Sequence, residues 1–451
     1  MNMIRILLLL ACTLTFTTSF AARVLVISID GLHPAYVTQA DRYGLKIPTL
    51  RKFMAQGSYA EGVVGVVPTV TYPNHTTLMT GVAPSVHGIL SNTLFDPQNV
   101  NREGWYWYAE DIKSETLWKA ANAAGLVTAS VNWPVTVGDT NIRYLLPEYW
   151  RAQTSDDLKV LRALSRPEGL QAQMEKTLGP FIDGNTDSAG SDEIRTRFAV
   201  AMLREHRPDF MAVHLIELDG IEHHDGPFQT TAFATLERLD AMIAQIASAA
   251  LTNDASTIVA VVSDHGFIAT HTAVNLRSEF VTAGLLKLKT PTTPDTLPIV
   301  ESWDAQVWNG GGSAAVVLRE PKDASVRQRV ADLLDRLKAD PRNGIARVVS
   351  GPALLKLEGF SGAEFVVEFA PGFYFGSSWR GELLTPAPYK GTHGYLSDRA
   401  EMHAAFFIKG SGIAAGRNLG VIDMRQIAPT LAKTLNVAFL NSGATPLQVS
   451  P

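Results

Sequence analysis

Acidic and histidine residues follow several apolar segments of this 451-residue sequence, in positions suited to bind a metal ion. Asp219 and His223 are four residues apart, so one helical turn would bring both side chains to the same face. The candidate ligands are Asp30, Asp219, His223, Asp264, His265 and His393. Carboxylate and imidazole ligands without thiolates favour zinc, with manganese and iron as the alternatives.

Thr71 is the candidate nucleophile. It ends the hydroxyl-rich turn 68–71, shortly before Pro73, a residue type that is favoured in the first turn of a helix. We therefore predict Thr71 at a helix N-terminus, where free backbone amides and the helix dipole attract an anion such as phosphate. A plain helix-capping threonine is the alternative. Because a threonine hydroxyl is a weak nucleophile at neutral pH, the catalytic interpretation requires nearby cations.

The elements that position these residues predict an α/β fold with a mainly parallel central sheet flanked by helices. Apolar, β-branched runs predict strands buried on both faces, and helical patterns alternate with them. The predicted strands are 23–29, 63–67, 127–131, 210–218, 256–262 and 404–408, and the predicted helices include 48–57, 114–125, 193–206, 230–250 and 424–435. Because the carboxyl ends of parallel strands share one edge, Asp30, Asp219 and Asp264 should meet there.

Two segments interrupt this alternation. Residues 138–192 show no regular periodicity, which indicates an insertion near the site. Residues 287–390 contain short strand and helix patterns, which predict a smaller α+β subdomain inserted into the main fold. We therefore predict one domain over residues 22–451 with these two insertions.

Residues 1–21 have the pattern of a signal peptide: Arg5, an apolar run, and a small-x-small site that ends at Ala21. We expect an exported protein, periplasmic or secreted. A stable membrane span is not expected, because the apolar run of about 15 residues is shorter than the roughly 20 needed. Lipidation of Cys12 is the alternative to simple cleavage. Cys12 is the only cysteine, so cleavage would exclude disulfides and thiol catalysis from the mature chain.

The charge balance argues against a polynucleotide partner. The chain has 39 basic and 44 acidic residues, a formal charge of −5, and no basic run. Proteins that hold nucleic acid by its phosphate backbone concentrate lysine and arginine on one face. We therefore expect a small-molecule substrate, while the composition leaves the oligomeric state open.

The motifs resemble those of the nucleotide pyrophosphatase/phosphodiesterase branch of the alkaline phosphatase superfamily. They occur in order from residue 23 to about residue 435. The matching segments are Ile27-Ser-Ile-Asp-Gly31, Thr71-Tyr-Pro-Asn-His-Thr-Thr-Leu-Met-Thr-Gly81, Asp219-x-x-x-His223, Ser263-Asp-His-Gly266, Thr392-His-Gly-Tyr395 and Ile427-Ala-Pro-Thr-Leu431. The resemblance implies an alkaline phosphatase-like fold and a phosphodiesterase or nucleotide pyrophosphatase activity.

The resemblance also implies specific roles for the site residues. It implies two zinc ions per subunit, one held by Asp219, His223 and His393, the other by Asp30, Asp264, His265 and the Thr71 oxygen. Thr71 would be the nucleophile, forming a covalent phospho-threonine intermediate, and Asn92 would help to hold the phosphoryl oxygens. Tyr72 matches a position where related enzymes place an aromatic ring against the substrate.

The substrate class is less closely defined by these motifs. A threonine-using monoesterase branch has a Lys-x-Arg motif where this chain has Asn132-Trp133-Pro134, and Trp133 is closer to the phosphodiesterase pattern. We therefore expect a phosphodiester or nucleotide substrate. The alternatives are a phosphomonoesterase, a phosphonoacetate hydrolase of the same fold, or a catalytically silent, metal-stabilised binding protein.

His214 is a further candidate for a substrate contact. It lies inside a predicted strand and either lines the site or makes a core hydrogen bond.

Overall fold

The computed structural model describes most of the chain. The described residues are 22–101, 104–151, 154–182, 190–290, 298–441 and 443–451. The predicted signal peptide and Cys12 lie outside them. Within the described residues, no helix combines the length and the apolar character that crossing a bilayer requires.

Twenty strands are described, most of them short. In chain order they are β1 (Val24–Ile29), β2 (Ser58–Tyr59), β3 (Gly62–Val64), β4 (Thr128–Val131), β5 (Tyr144–Leu146), β6 (Phe210–Leu215), β7 (Ile258–Val262), β8 (Ile268–Val274), β9 (Leu286–Leu288), β10 (Val300–Trp303), β11 (Ala305–Asn309), β12 (Ser313–Leu318), β13 (Ile345–Ser350), β14 (Phe365–Phe369), β15 (Gly372–Phe375), β16 (Leu384–Pro386), β17 (Gly391–Thr392), β18 (Phe406–Lys409), β19 (Arg417–Asn418) and β20 (Val421–Asp423).

Fifteen α-helices are described between and beside these strands. They are α1 (Ala35–Thr38), α2 (Ala40–Tyr43), α3 (Pro48–Gln56), α4 (Thr71–Thr80), α5 (Pro84–His87), α6 (Leu117–Ala123), α7 (Ser155–Leu164), α8 (Leu170–Leu178), α9 (Ser191–His206), α10 (Glu217–Asp225), α11 (Thr230–Asn253), α12 (Leu276–Thr282), α13 (Ala324–Ala339), α14 (Pro352–Leu355) and α15 (Ile427–Leu435). Short 3₁₀ turns occupy Ala109–Asp111, Pro341–Asn343, Ala400–Met402 and Met424–Gln426.

The central sheet has eight strands in the order β19-β2-β18-β7-β1-β6-β4-β5. The five strands from β7 to β5 run parallel, and β18 pairs with β7 in the antiparallel direction. This arrangement confirms the predicted, mainly parallel sheet. All six residues of β1 are buried, as expected for a strand that is covered on both faces.

Helices cover both faces of the central sheet. Successive side chains of a strand point to opposite faces, so β1 contributes to two separate cores. Leu25 and Ile27 pack in the core formed with α9 and α11, whereas Val24 and Val26 pack in the core that contains α4, α6 and α15. The central sheet is therefore the rigid layer from which the site residues emerge.

A second, antiparallel sheet has the order β11-β12-β14-β13 and lies in the segment for which the smaller α+β subdomain is predicted. Helix α13 packs on one face of this sheet, where Ala314 and Val316 are buried. The opposite face, which includes Ala315, packs in a core shared with Val67 and Tyr72, next to the start of α4. The subdomain therefore supports the helix that begins at Thr71.

One expectation about secondary structure is wrong. The predicted strand 210–218 ends at Leu215, and α10 begins at Glu217, so Asp219 lies in the first turn of a helix instead of at a strand end. Residues 138–192 also contain regular structure, namely β5, α7 and α8, and β5 is an edge strand of the central sheet. The division into a main domain with two insertions stays a prediction.

Candidate active site

The parallel register brings Asp30 and Asp264 to the same edge of the central sheet. Ile29 of β1 is level with Leu215 of β6, and Ser28 is level with Val262 of β7. The residues that follow these strands therefore leave the sheet side by side. This is the edge at which the sequence predicted the site.

The first ligand group consists of Asp30, Asp264 and His265, all three buried. The Nε2 atom of His265 lies 3.4 Å from Asp30 Oδ1 and 3.1 Å from Asp264 Oδ2. The backbone amide of Gly31 donates to Asp264 Oδ1 at 3.1 Å, which fixes the second oxygen of that carboxylate. Gly31 has φ +75°, and an added Cβ would lie 2.7 Å from the Phe267 ring, so a side chain there would displace the turn.

The second group is built on α10 and on the turn after β17. Asp219 and His223 lie on one face of α10, with His223 Nε2 3.5 Å from Asp219 Oδ2. His393 Nε2 lies 3.6 Å from Asp219 Oδ1. The His393 ring also stacks on the His265 ring, with 3.6 Å between the ring centroids. The two groups are therefore neighbours.

Backbone carbonyls orient two of these histidines. His223 Nδ1 lies 2.9 Å from the Gly391 carbonyl oxygen, and His393 Nδ1 lies 3.1 Å from the Thr69 carbonyl oxygen. A carbonyl only accepts, so each Nδ1 carries a proton, and in the neutral ring the lone pair is then on Nε2. Both lone pairs are thus on the atoms that face Asp219, which is the tautomer that a metal ligand needs.

The chemistry of this cluster fits a bound cation. Asp30 Oδ1 and Asp264 Oδ2 are buried and form no hydrogen bond among the described residues, and the same is true of both ring nitrogens of His265. The ion-pair contacts that Asp30 and Asp264 make within the described residues are with histidines. Burying carboxylates with so little compensation is costly, and a divalent cation would supply the compensation.

The pKa values reflect the burial of these titratable groups close to one another. Burial, and then the charges of Asp264 and Asp219, raise the pKa of Asp30 well above its usual range. Burial also lowers the pKa of His393, and the neighbouring His265 and His223 add to the effect. Neutral imidazole is the form that binds metal, so the environment of His393 favours that form.

Thr71 is the first residue of α4 and is nearly buried, as the sequence predicted for its place at a helix start. His75, one turn along, donates from Nδ1 to the Thr71 carbonyl at 2.9 Å and accepts from the Ser28 hydroxyl at 2.8 Å. His75 Nδ1 also lies 3.6 Å from Asp264 Oδ2. Burial and the neighbouring His214 lower the pKa of His75 to about 3. Neutral His75 thus joins the start of α4 to the first ligand group.

Asn92 is held beside the same helix start. Its Oδ1 accepts a 2.8 Å hydrogen bond from the backbone amide of Tyr72. Because this bond uses the oxygen of the side-chain amide, the orientation of the Asn92 Nδ2 group is fixed as well. The start of α4 and the Asn92 side chain are therefore a single hydrogen-bonded unit.

A family assignment rests on comparison of the whole chain. A sequence model of the family described as type I phosphodiesterase/nucleotide pyrophosphatase matches residues 24–396. The chain belongs to this family. The family match and the fold together confirm the resemblance inferred from the motifs.

Curated members of the family are longer than this chain. Human ectonucleotide pyrophosphatase/phosphodiesterase family member 1 is 25% identical over 233 residues, which are 49% of this chain and 21% of the human protein. A venom phosphodiesterase of Crotalus durissus collilineatus is 25% identical over 228 residues, 48% of this chain and 22% of the venom protein. The matched part of the chain thus spans about a fifth of each relative's length.

Two solved structures share the fold of this family member. Human ectonucleotide pyrophosphatase/phosphodiesterase 5 superposes with a TM-score of 0.66 at 17% identity, covering 94% of this chain and 97% of the human one. An inactive threonine-to-alanine variant of the murine protein, in complex with AMP, gives a TM-score of 0.65 at 20% identity with the same coverage. The alkaline phosphatase-like fold predicted from the sequence is confirmed by these neighbours.

The three residues predicted to contact substrate lie deeper than expected. Tyr72 is buried and donates from its hydroxyl to Glu148 Oε1 at 3.3 Å. Trp133 is buried in the core with its ring edge against His75, 4.9 Å between centroids. His214 is buried with Nε2 3.1 Å from Asp30 Oδ2. His214 thus contacts the candidate metal ligand Asp30. The substrate contacts of Tyr72, Trp133 and His214 stay predictions.

Two buried acids near the site were missed by the sequence analysis. Glu148 follows β5, and its Oε2 lies 3.7 Å from His214 Nδ1. Glu222 is buried in α10 and accepts from the Tyr36 hydroxyl at 2.5 Å. The signal for Glu148 was available: it follows the short apolar run 144–146, which is another parallel strand that ends at the same edge. A three-residue strand gave too weak a pattern to be recognised.

Proposed function

We propose that this protein is a metal-dependent hydrolase that cleaves phosphodiester or pyrophosphate bonds in a small nucleotide-like substrate. One observation carries the proposal: the helix start at Thr71 is tied through His75 to Asp264, which belongs to one of two adjoining carboxylate–histidine groups. Family membership supports the reaction class, and the AMP complex of the murine neighbour supports a nucleotide substrate.

We assign two zinc ions to the site, with other divalent transition metals as alternatives. One would be held by Asp219, His223 and His393. The other would be held by Asp30, Asp264, His265 and the Thr71 hydroxyl oxygen. Bound zinc acts as a Lewis acid that stabilises negative charge on oxygen. The ligand atoms of Asp30, Asp264 and His265 lie within 4.8 Å of one another, as do those of Asp219, His265 and His393. His223 Nε2 lies 3.5 Å from Asp219 Oδ2. These short distances support the assignment.

Thr71 acts as the nucleophile and Asn92 as a hydrogen-bond donor to the phosphoryl group. The Thr71 hydroxyl loses its proton to solvent, and its Oγ attacks phosphorus in line with the leaving oxygen. The bond from phosphorus to the leaving oxygen breaks, and a phospho-threonine forms that keeps the second substituent of the substrate on phosphorus. Asn92, fixed through Tyr72, donates from Nδ2 to a non-bridging phosphoryl oxygen. Attack by water then breaks the bond between Thr71 and phosphorus. Two inversions give net retention of configuration at phosphorus.

A phosphodiester is a better fit than a monoester. A monoester brings a second negative charge, and the monoesterase branch carries a Lys-x-Arg motif where this chain has Asn132-Trp133-Pro134. Without those two cations the less highly charged substrate is favoured. The predicted signal peptide supports a further proposal, that the enzyme acts after export, in the periplasm or outside the cell.

The test replaces Thr71 with alanine and follows a nitrophenyl phosphodiester. Thr71→Ala should lower kcat/KM at least about a thousandfold, as expected when a nucleophile is removed. Acid quenching of the wild type with labelled substrate should trap the phosphoryl group, with its remaining ester substituent, on Thr71. Thr80→Ala is the matched control, because Thr80 is a buried threonine of the same helix whose hydroxyl donates to the Thr76 carbonyl. Unchanged turnover in Thr71→Ala that still binds metal would overturn the proposal.

A further inference from the structure

Solvent reaches the candidate site mainly from the α10 side. The Asp219 and His223 side chains are 20% and 26% exposed. The Asp30 side chain is 5% exposed, and those of Asp264 and His265 are fully buried. A group that leaves the site therefore passes the edge formed by Asp219 and His223.

Tyr389 lies at this edge, and its surface is half exposed. Its ring centroid is 5.4 Å from that of His223, with 53° between the ring planes. Phe267 packs against His223 as well, at 4.9 Å, but is buried. Among the described residues that contact the His223 ring, Tyr389 thus presents the large aromatic surface that remains open to a ligand.

The backbone at Tyr389 and Lys390 is held by hydrogen bonds to two neighbouring elements. The Thr270 hydroxyl donates to the Tyr389 carbonyl at 2.9 Å, and the Thr270 amide donates to the Lys390 carbonyl at 2.8 Å. The Lys390 amide in turn donates to the His223 carbonyl at 2.9 Å. These bonds join the segment to both β8 and α10. An exposed aromatic ring on so fixed a backbone is a ready stacking surface.

We infer that Tyr389 is a specificity-determining residue that stacks on the leaving group of the substrate. The inference rests on the proposed function and on its in-line geometry. Thr71 is tied to the Asp30–Asp264–His265 group, so it attacks from that side, and the leaving oxygen lies on the side of Asp219, His223 and His393. A planar leaving group, such as a nitrophenolate or a nucleobase-bearing alcohol, then meets the open face of the Tyr389 ring.

The experiment compares two esters of one nucleoside monophosphate that differ only in the leaving group. The 4-nitrophenyl ester has a planar leaving group, and the 2,2,2-trifluoroethyl ester has an aliphatic one. Tyr389→Ala should raise KM for the nitrophenyl ester roughly three- to tenfold, the effect expected for one lost aromatic pair, and leave KM for the trifluoroethyl ester close to the wild-type value. Tyr389→Phe keeps the ring and should restore the wild-type ratio of the two KM values.

A binding measurement separates stacking from catalysis. In the Thr71→Ala background, Tyr389→Ala should weaken binding of the nitrophenyl ester by the same factor and leave binding of the trifluoroethyl ester unaltered. Tyr144→Ala is the control, since Tyr144 is a partly exposed tyrosine near the amino end of β5, stacked on His206 away from the site edge. It should leave both affinities unchanged.

Three results would overturn the inference. Equal losses for both esters in Tyr389→Ala would show a general disturbance of His223. Unchanged KM values for both esters would show that the ring does not contact the leaving group. Failure of the wild type, with metal bound, to hydrolyse either ester would refute the proposed function itself, and the assignment of Tyr389 would fall with it.

Discussion

At the residue scale, the atom that a side chain can offer to a ligand depends on which of its other atoms already form hydrogen bonds. The Nδ1 atoms of His223 and His393 form hydrogen bonds with backbone carbonyls, so the Nε2 atoms are the ones that face Asp219. Residue type and position after apolar segments select the six candidate ligands in the sequence, and their role in metal binding stays a prediction. The packing of Trp133 and His214 could not be predicted from the sequence, because the burial of a side chain depends on neighbours that are distant in sequence.

Asn92 offers a sharp test at this scale. Asn92→Asp keeps an oxygen that accepts from the Tyr72 amide but replaces the Nδ2 donor with a charged oxygen. We expect kcat to fall about 10²- to 10³-fold, the usual cost of losing one donor to a developing negative charge. The measurement is steady-state kinetics with a phosphodiester, alongside thermal unfolding to show that the fold is intact. A wild-type kcat in Asn92→Asp would remove Asn92 from the catalytic residues.

At the scale of elements, α10 is the helix whose placement matters most, because it carries both Asp219 and His223. Its N-terminus is capped by Asp192, which accepts from the Glu217 amide at 2.8 Å, and the Glu217 side chain accepts from the Asp192 amide at 3.0 Å. Asp192 also forms a buried ion pair with Arg195 at 2.6 Å. The sequence indicated the turn that links Asp219 to His223, but this cap involves residues 25 positions apart and has no local pattern.

We predict that Asp192→Asn weakens metal binding. The amide keeps the shape of the side chain but loses the charge that holds the start of α10, so the Asp219–His223 pair should be less well oriented. The expected loss in metal affinity is about tenfold, typical for residues that orient ligands. Competition with a chromogenic chelator measures it.

The matched control is Asp323→Asn at the start of α13. Asp323 caps that helix by accepting from the amides of Ser325 and Val326, both at 3.0 Å. Because asparagine caps a helix about as well as aspartate, this replacement should change stability little and leave metal affinity unchanged. If both variants lost the same amount of metal affinity, α10 capping would have no specific role.

At the scale of the whole molecule, the site lies where the central sheet meets the smaller subdomain. The His393 carbonyl accepts from the Gly312 amide at 2.7 Å, in the turn between β11 and β12, while His393 Nδ1 bonds to Thr69. The sequence indicated both units from the change in alternation, but not their contact. That contact is formed by apolar side chains on one face of the small sheet, and a sequence does not show which surface such a face will cover.

Metal removal should therefore destabilise the contact between the central sheet and the smaller subdomain. We expect a chelator to lower Tm, because a bound ion at a thousand times its Kd contributes about 4 kcal/mol to folding. Hydrogen exchange should rise most in residues 389–396 and 69–72, which His393 links. Adding zinc should restore both values, and His393→Ala should respond less to chelation. An identical Tm and exchange pattern with and without chelator would contradict a metal at this position.

The order in which the ligands occur along the chain has a consequence for biosynthesis. Asp30 is among the first described residues, whereas His393 follows β17, after the whole smaller subdomain. A nascent chain on the ribosome therefore cannot complete the cluster until the segment around His393 has emerged and docked on Thr69. Partial translation products that stop within the smaller subdomain would carry five of the six ligands yet lack the residue that closes the site.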